Sequence, residues 1–359
     1  MKEKAIKTAC DLCDCMMHMY EPEKLPPEKI FHYHQGVFLS GMYNTFDICK
    51  EKKYFDYIKA WVDSIIWDDG SIHDYDKTRL DDLQPGILLF GLYEATGEEK
   101  YKKVLNEFAE ILKGWPKNNL GGFWHKYCHP NQMWLDSLYM DGPIQAMLAK
   151  FNDDESFMNE AANQALIMFE KLYDKKSGLM FHAWDETGAE EWCSGETNCS
   201  PEIWGRAMGW YVVALADILE LMPDSNEKKK KLVEIERCLL EKIADYREET
   251  TKMWYQIVNK GDLKSNWLET SCSCLFTAAI AKAVRLGIID GSYRCFANDS
   301  FKGLEEKLIW YEGHLYVSGI CVGTGVGDYR HYINRPTVNS DLHGVGAFLL
   351  MCAEIYKIN

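Results

Sequence analysis

Two kinds of helix-patterned segment alternate along this chain, and that alternation constrains the fold more than any other feature. One kind is amphipathic, with apolar residues at helical spacing and charges between them, as in Phe55, Ile58, Val62, Ile65 and Ile66, or Val104, Leu105, Phe108, Ile111 and Leu112. Similar segments cover residues near 3–17, 157–172, 229–246 and 296–310. The second kind is apolar nearly all round and rich in small residues: GVFLSGM from Gly36, GILLFGLY from Gly86, PIQAMLAKF from Pro143, RAMGWYVVALADIL from Arg206, CLFTAAIAKAV from Cys274 and GVGAFLLMCAEI from Gly344. A helix without a wet face has to be buried on both sides. Wet and dry segments in strict alternation, six times over, predict an all-α (α/α)6 barrel with the dry helices inside, residues 1–359 forming one domain.

The connections are unequal. Links such as EATGEEK at 94–100 and FNDDES at 151–156 are short, whereas several links into the inner helices run to roughly twenty residues, longer than compact domains usually keep without a functional reason. Four of the long links carry a turn-and-alternation pattern that predicts brief strands lining one rim: GGFWHK at 121, SGLMFHAWD at 177, MWYQIV at 253 and HLYVSGI at 314. Every inner helix is entered from that rim, so six helix N-termini with free N–H groups point toward it, a setting that favours an anion.

At or just before the inner-helix starts lie His32, Tyr33, His34 and Gln35; Asp81, Asp82 and Gln84; Trp134 and Asp136; Glu202, Trp204, Arg206 and Trp210; Trp267 and Glu269; and Asp341 with His343. Helix capping and aromatic packing explain each set taken singly, Glu202, Glu269 and Asp341 especially. Their recurrence at equivalent places in six repeats points to a site. Within it, Asp136 stands among Trp134, Leu135, Leu138, Tyr139 and Met140. Burial in such company should raise a carboxyl's pKa and suit it to donate a proton, although an N-cap at the start of an apolar helix explains the same residue. Asp81 occupies the same place one repeat earlier, and a facing pair of carboxylates suits glycoside chemistry. Arg206 has the planar fork that matches a ligand carboxylate, and His182 in FHAWDE is as readily a structural histidine as a ligand contact.

A net charge of −15 opposes nucleic acid and anionic membrane as partners. No apolar run approaches the roughly twenty residues of a membrane span, and the N-terminus lacks the apolar core of a signal peptide. Thirteen cysteines, an odd number without a framework, suit a reducing cytoplasm. Cys10, Cys13, Cys15 and His18 share one helical segment and read as structural thiols in preference to a zinc site. No phosphate loop, dinucleotide fingerprint or metal spacing is found, so the expectation is no cofactor, no metal, and a small anionic oligosaccharide as ligand.

Read together, HYHQGVFLSGM from His32, LDDLQPGILLF from Leu80, GGFWHK at 121, QMWLDSLYM from Gln132, GLMFHAWDE from Gly178, CSPEIWGRAMGWY from Cys199 and DLHGVGAF from Asp341 resemble the unsaturated rhamnogalacturonyl hydrolases of glycoside hydrolase family 105. The related unsaturated glucuronyl hydrolases of family 88 are less similar in these motifs. The resemblance implies a lyase-generated disaccharide whose non-reducing uronic acid carries a C4=C5 double bond. It also implies hydrolysis by hydration of that bond, with Asp136 as proton donor and Asp81 as the second aspartate. His32, Tyr33, His125, Trp134, Met140, His182, Arg206 and Trp210 match positions that shape the family's substrate pocket. Lys126 to His129 form a loop the resemblance does not align. Three other readings stand beside this one: an unsaturated uronyl hydrolase for a different partner sugar, an ordinary inverting glycosidase needing both Asp81 and Asp136, and a sugar-binding barrel without activity. A sugar epimerase built on His125 and His182 is a more distant one.

Overall fold

The computed structural model describes residues 1–359. Twelve helices form six consecutive hairpins: α1 (Lys2–Met19) with α2 (Tyr33–Cys49), α3 (Lys52–Ile65) with α4 (Ile87–Thr96), α5 (Glu99–Lys113) with α6 (Ser137–Phe151), α7 (Glu155–Leu172) with α8 (Gly205–Leu221), α9 (Lys229–Asp245) with α10 (Thr270–Arg285), and α11 (Tyr293–Glu305) with α13 (Leu342–Ile358). The short α12 (Tyr329–Ile333) belongs to the last rim connection. The inner members pack on one another in the cyclic order α2, α4, α6, α8, α10, α13 and back to α2, which closes the predicted barrel.

The closure depends on the small residues that marked these helices in the sequence. A Cβ on Gly346 of α13 would stand 2.5 Å from the backbone of Val37 in α2, and one on Gly41 would stand 2.6 Å from the Cβ of Leu349. Backbone therefore meets backbone at this seam, and no side chain larger than hydrogen fits there. Pro143, the first residue of the PIQAMLAKF run, lies inside α6. The apolar residues before it, Leu138 to Met140, belong to the same helix, so α6 starts directly after Asp136.

The rim strands are present as two-stranded pairs, displaced in one case. GGFWHK forms isolated bridges, Phe123 to Lys117 and Lys126 to Arg79, and the strand of that connection is Gln132–Trp134, antiparallel to Ala183–Asp185. Leu179–Met180 pairs with Tyr173–Asp174, Trp254–Tyr255 with Leu268–Glu269, and His314–Val317 with Leu308–Tyr311. In α1, Cys15 Sγ accepts the Leu315 N–H at 3.3 Å, and the His18 ring stacks on His314, so these candidate ligands serve different packing contacts.

The two ends of the barrel differ in charge. At the end where the inner helices finish, Lys282 joins Asp217 (2.5 Å) and Glu220 (2.6 Å), Arg285 joins Glu220 and Glu354, and Lys357 joins Glu354. Cations near the negative ends of helix dipoles are well placed, and each carboxylate has a basic partner. A cavity of about 170 Å³ lies among these groups, and its chemistry is that of a compensated ion network. Unpartnered buried atoms of Asp136, His182 and His343 lie at the other end.

Candidate active site

Strand pairing brings the central groups together. The antiparallel register that sets Trp134 opposite Ala183 continues into a Leu135 N–H to His182 carbonyl bond of 2.8 Å, which places the next residue, Asp136, beside the His182 ring. Asp136 has helical backbone angles (φ −56°, ψ −33°) and its side chain caps nothing. Its Oδ2 lies 3.0 Å from His182 Nε2. The angle is too bent for a good hydrogen bond, and both atoms are sealed from solvent without another partner. Such contacts in ligand-free sites tighten when the substrate arrives. The carboxylate's remaining access to the cavity is through Oδ1.

This geometry corrects the expected titration of Asp136. Burial does push its pKa upward, but His182, His125 and Arg206 outweigh it, and the net shift is downward. The apolar residues beside Asp136 in the sequence are not the groups its carboxylate meets in space.

Asp81, in a turn of 3₁₀ helix before α4, accepts from Lys126 Nζ at 2.7 Å and lies 3.7 Å from His125 Nε2. Burial opposes its charge, yet the basic neighbours hold the carboxyl well below its usual range. Burial lowers the pKa of His125 to about 4, so the imidazole is neutral at pH 7 and Lys126 is the charge that keeps Asp81 ionised. His125 Nδ1 meets Ser137 Oγ at 2.9 Å, and its ring stacks on Trp134 at 4.3 Å. His129 stacks on Trp134 as well, at 5.2 Å. The Trp134 Nε1–H donates to Gln132 Oε1, and Gln132 Nε2 in turn donates to Glu190. The unaligned Lys126–His129 loop thus supplies a partner for Asp81 and a wall beside Trp134.

Arg206 is placed differently from its expected role. It is 1 % exposed. Its Nη1 contacts the Cys321 carbonyl at 2.5 Å and His343 Nε2 at 2.9 Å, and its Nη2 donates to the Val322 carbonyl at 2.6 Å. Three of the five N–H groups are spent inside the protein, which leaves only Nε–H and one Nη2–H for any ligand. It stands as a buried positive charge behind the strand at Ile320–Cys321, stacked on Trp204 at 4.5 Å. Trp210 and Met140 are buried too, Trp210 packing on Tyr139 at 4.5 Å.

His32 and Tyr33 open α2 at the mouth, with His32 Nδ1 paired to Asp82 at 2.5 Å. His34, Asp341 and His343 place ligating atoms within 4.8 Å of one another, a grouping that could suit a metal. The donor accounting opposes that use. His343 Nε2 accepts from Arg206, which leaves Nδ1 to carry the proton toward Asp341, 2.8 Å away though bent, so neither nitrogen offers a lone pair. The set is a polar chain running Arg206, His343, Asp341, His34, the last contact being 3.2 Å. Glu269 caps α10, accepting from the Ser271 and Cys272 N–H groups, and Glu202 pairs with Lys260, so their structural explanations hold.

Two contributors escaped sequence reasoning. Tyr332 in α12 reaches His182 Nδ1 at 2.7 Å. The GTGVG run at Gly323–Gly327 crosses the mouth: a Cβ on Gly323 would stand 3.8 Å from Tyr33 Oη, and one on Gly325 would stand 3.9 Å from Trp134. The alternating glycines were the available signal for a loop, and of the three only Gly327 lacks room for a Cβ, which would stand 2.6 Å from the His331 ring.

The buried histidines carry a stability consequence. Burial lowers the pKa of His343, as of His125, to about 4, with Arg206 adding to the effect at His343. Below about pH 6.5 the unfolded chain binds protons that these two folded side chains refuse, so stability is full above that value and declines as pH falls toward 4. Thermal melts should show Tm falling across this window, ahead of the protonation of Asp81 and Asp341, whose pKa values are depressed. A Tm unchanged between pH 7 and pH 4 would contradict the neutral burial of both rings.

A family model described as Glycosyl Hydrolase Family 88 matches residues 8–359. A solved Clostridium acetobutylicum glycoside hydrolase from family 105 superposes with a TM-score of 0.92 at 33% identity, covering 97% of this chain and 99% of that one. The Bacillus subtilis unsaturated rhamnogalacturonyl hydrolase YesR is 24% identical over 329 residues, 90% of this chain and 88% of that protein. An unsaturated glucuronyl hydrolase specific for heparin shares the fold, with a TM-score of 0.76 at 16% identity.

Proposed function

The chain belongs to the glycoside hydrolases of families 88 and 105, and on that premise we propose that it removes the unsaturated galacturonyl residue from lyase-generated rhamnogalacturonan disaccharides. The enzyme is an unsaturated uronyl hydrolase. The rhamnose partner is supported by the similarity to YesR across nine-tenths of the chain. The observation that carries the chemistry is the Asp136 carboxyl, with one oxygen sealed against His182 and the other open to a mouth ringed by helix N-termini.

The depressed pKa of free Asp136 fits this role once the ligand is considered. A uronate brings a negative charge and displaces water, and both raise the proton affinity of a neighbouring carboxylate. Substrate binding therefore loads the acid. The Asp136 O–H bond breaks as the π electrons of C4=C5 form a C4–H bond, and positive charge develops at C5 and the ring oxygen. Water then adds at C5 and returns a proton to Asp136. The resulting hemiketal opens and expels the neighbouring sugar. Asp81, held ionised by Lys126, supplies fixed negative charge near the developing cation. We place the reaction in the cytoplasm, in keeping with thirteen free cysteines; no helix is long and apolar enough to cross a membrane.

Incubation with lyase-digested rhamnogalacturonan should remove the ultraviolet absorbance of the conjugated enol ether, and in deuterated water the uronate product should carry deuterium at C4. Release of a uronate that keeps its double bond would identify an ordinary glycosidase. A preference for lyase-digested glycosaminoglycan would replace the proposed partner sugar, and inactivity on both digests would remove the proposal.

A further inference from the structure

The groups behind Asp136 form a donor chain with a definite direction. Tyr332 is fully buried, its backbone carbonyl accepts from Gln256 Nε2 at 3.2 Å, and its ring stacks on Trp204, which also packs on His182. The Gly327 N–H donates to Tyr332 Oη at 3.3 Å. The same oxygen stands 2.7 Å from His182 Nδ1, in a ring that is 0 % exposed. Gly327 occupies one of the two lone pairs of the phenol oxygen, and His182 Nδ1 is the one acceptor within reach of its O–H, so the phenol donates to His182. A neutral imidazole accepting at Nδ1 carries its proton on Nε2, the atom facing Asp136 Oδ2.

We propose that Tyr332 is a positioning residue that holds His182 in the Nε2–H tautomer and thereby confines the reactive proton of Asp136 to Oδ1. Once this bent 3.0 Å contact tightens around the substrate and Nε2–H donates to Oδ2, a protonated Asp136 cannot also carry its hydrogen there, so the acid's O–H lies on the oxygen open to the cavity. In the other tautomer the bare Nε2 accepts the carboxyl hydrogen, and the acid points away from the sugar. After transfer to C4, the same Nε2–H stabilises the Asp136 carboxylate until water returns a proton. This inference rests on the reading of Asp136 as the proton donor. It adds that the Gly323–Gly327 segment at the mouth is wired to the acid through the Gly327 N–H.

Long-range proton–nitrogen correlation spectra of the ¹⁵N-histidine-labelled protein at about pH 8, where an ordinary imidazole is neutral, report the tautomer directly. The His182 signals are identified by their loss in His182→Gln. The wild type should show Nε2–H, and Tyr332→Phe should shift His182 toward Nδ1–H. The same variant should lower kcat on the unsaturated disaccharide about tenfold or more, part of the 10²–10⁴ a general acid contributes, with KM and Tm nearly unchanged. An Nδ1–H or doubly protonated His182 in the wild type would overturn the inference, as would a Tyr332→Phe protein that keeps either the tautomer or the kcat. Wild-type inactivity on every unsaturated uronyl disaccharide would defeat the functional proposal instead, leaving the spectra to judge the tautomer.

Discussion

Asp136→Asn should lose about 10²- to 10⁴-fold in kcat while melting at nearly the wild-type temperature. The substitution preserves volume and shape and replaces an acidic O–H by an amide that cannot transfer a proton to carbon. Fold stability is spared because the carboxylate performs no structural task that the amide cannot share. It caps no helix, and its one close contact is the bent approach to His182 at 3.0 Å. An amide oxygen can accept from the same Nε2–H. Removing the charge also removes its burial cost, but His182, His125 and Arg206 outweigh that cost in the wild type, so a small drop in Tm is expected beside the large loss of turnover. Turnover on the unsaturated disaccharide and a thermal melt are sufficient to check this, and a variant retaining more than about a tenth of wild-type kcat would take Asp136 out of the chemistry. A large drop in Tm accompanying the activity loss would instead make the residue structural.

The architecture was legible because burial writes itself into composition. Helices that cannot face water have to form an inner ring, and two of the glycines that made GVFLSGM and GVGAFLLM conspicuous, Gly41 and Gly346, are where α2 and α13 meet. The location of the site was legible for a related reason: polar side chains recur where each inner helix begins. Electrostatics was not legible, because charge acts through space and sequence lists neighbours along a line. Asp136 looked apolar in its surroundings, yet the ring against it is His182, delivered by the next repeat through a strand pairing, and that ring is in turn held by Tyr332, 150 residues further along. Arg206 shows the same limit from the other side. Its side-chain chemistry was read correctly as that of a fork for oxygen atoms, but the oxygens it holds are the carbonyls of Cys321 and Val322.

Arg206→Met should therefore destabilise the fold and not simply weaken substrate binding. The guanidinium is almost completely buried, and it satisfies two carbonyls and His343 Nε2, all carried by the last rim connection or the start of α13. Removing it leaves the Cys321 carbonyl and His343 Nε2 without this donor and the Val322 carbonyl with only the Thr324 hydroxyl at 2.8 Å, in a place water reaches poorly, and hydrogen bonds from a charged donor contribute about 1.5–3 kcal/mol each. Against this stands the cost of having buried the charge, which methionine does not incur. The net loss should be on the order of 3–5 kcal/mol in chemical denaturation, the range seen when one side of a buried polar cluster is deleted. Arg206→Lys should recover only part of it, because a single ammonium cannot span acceptors arranged around a planar fork. Activity should fall in both variants through kcat, since Val322 leads directly into the Gly323–Gly327 segment, whose Gly327 N–H meets Tyr332 Oη. If Arg206→Met were as stable as the wild type and raised only KM, the buried fork would be a substrate clamp after all, and the carbonyls of Cys321 and Val322 would have to find other donors.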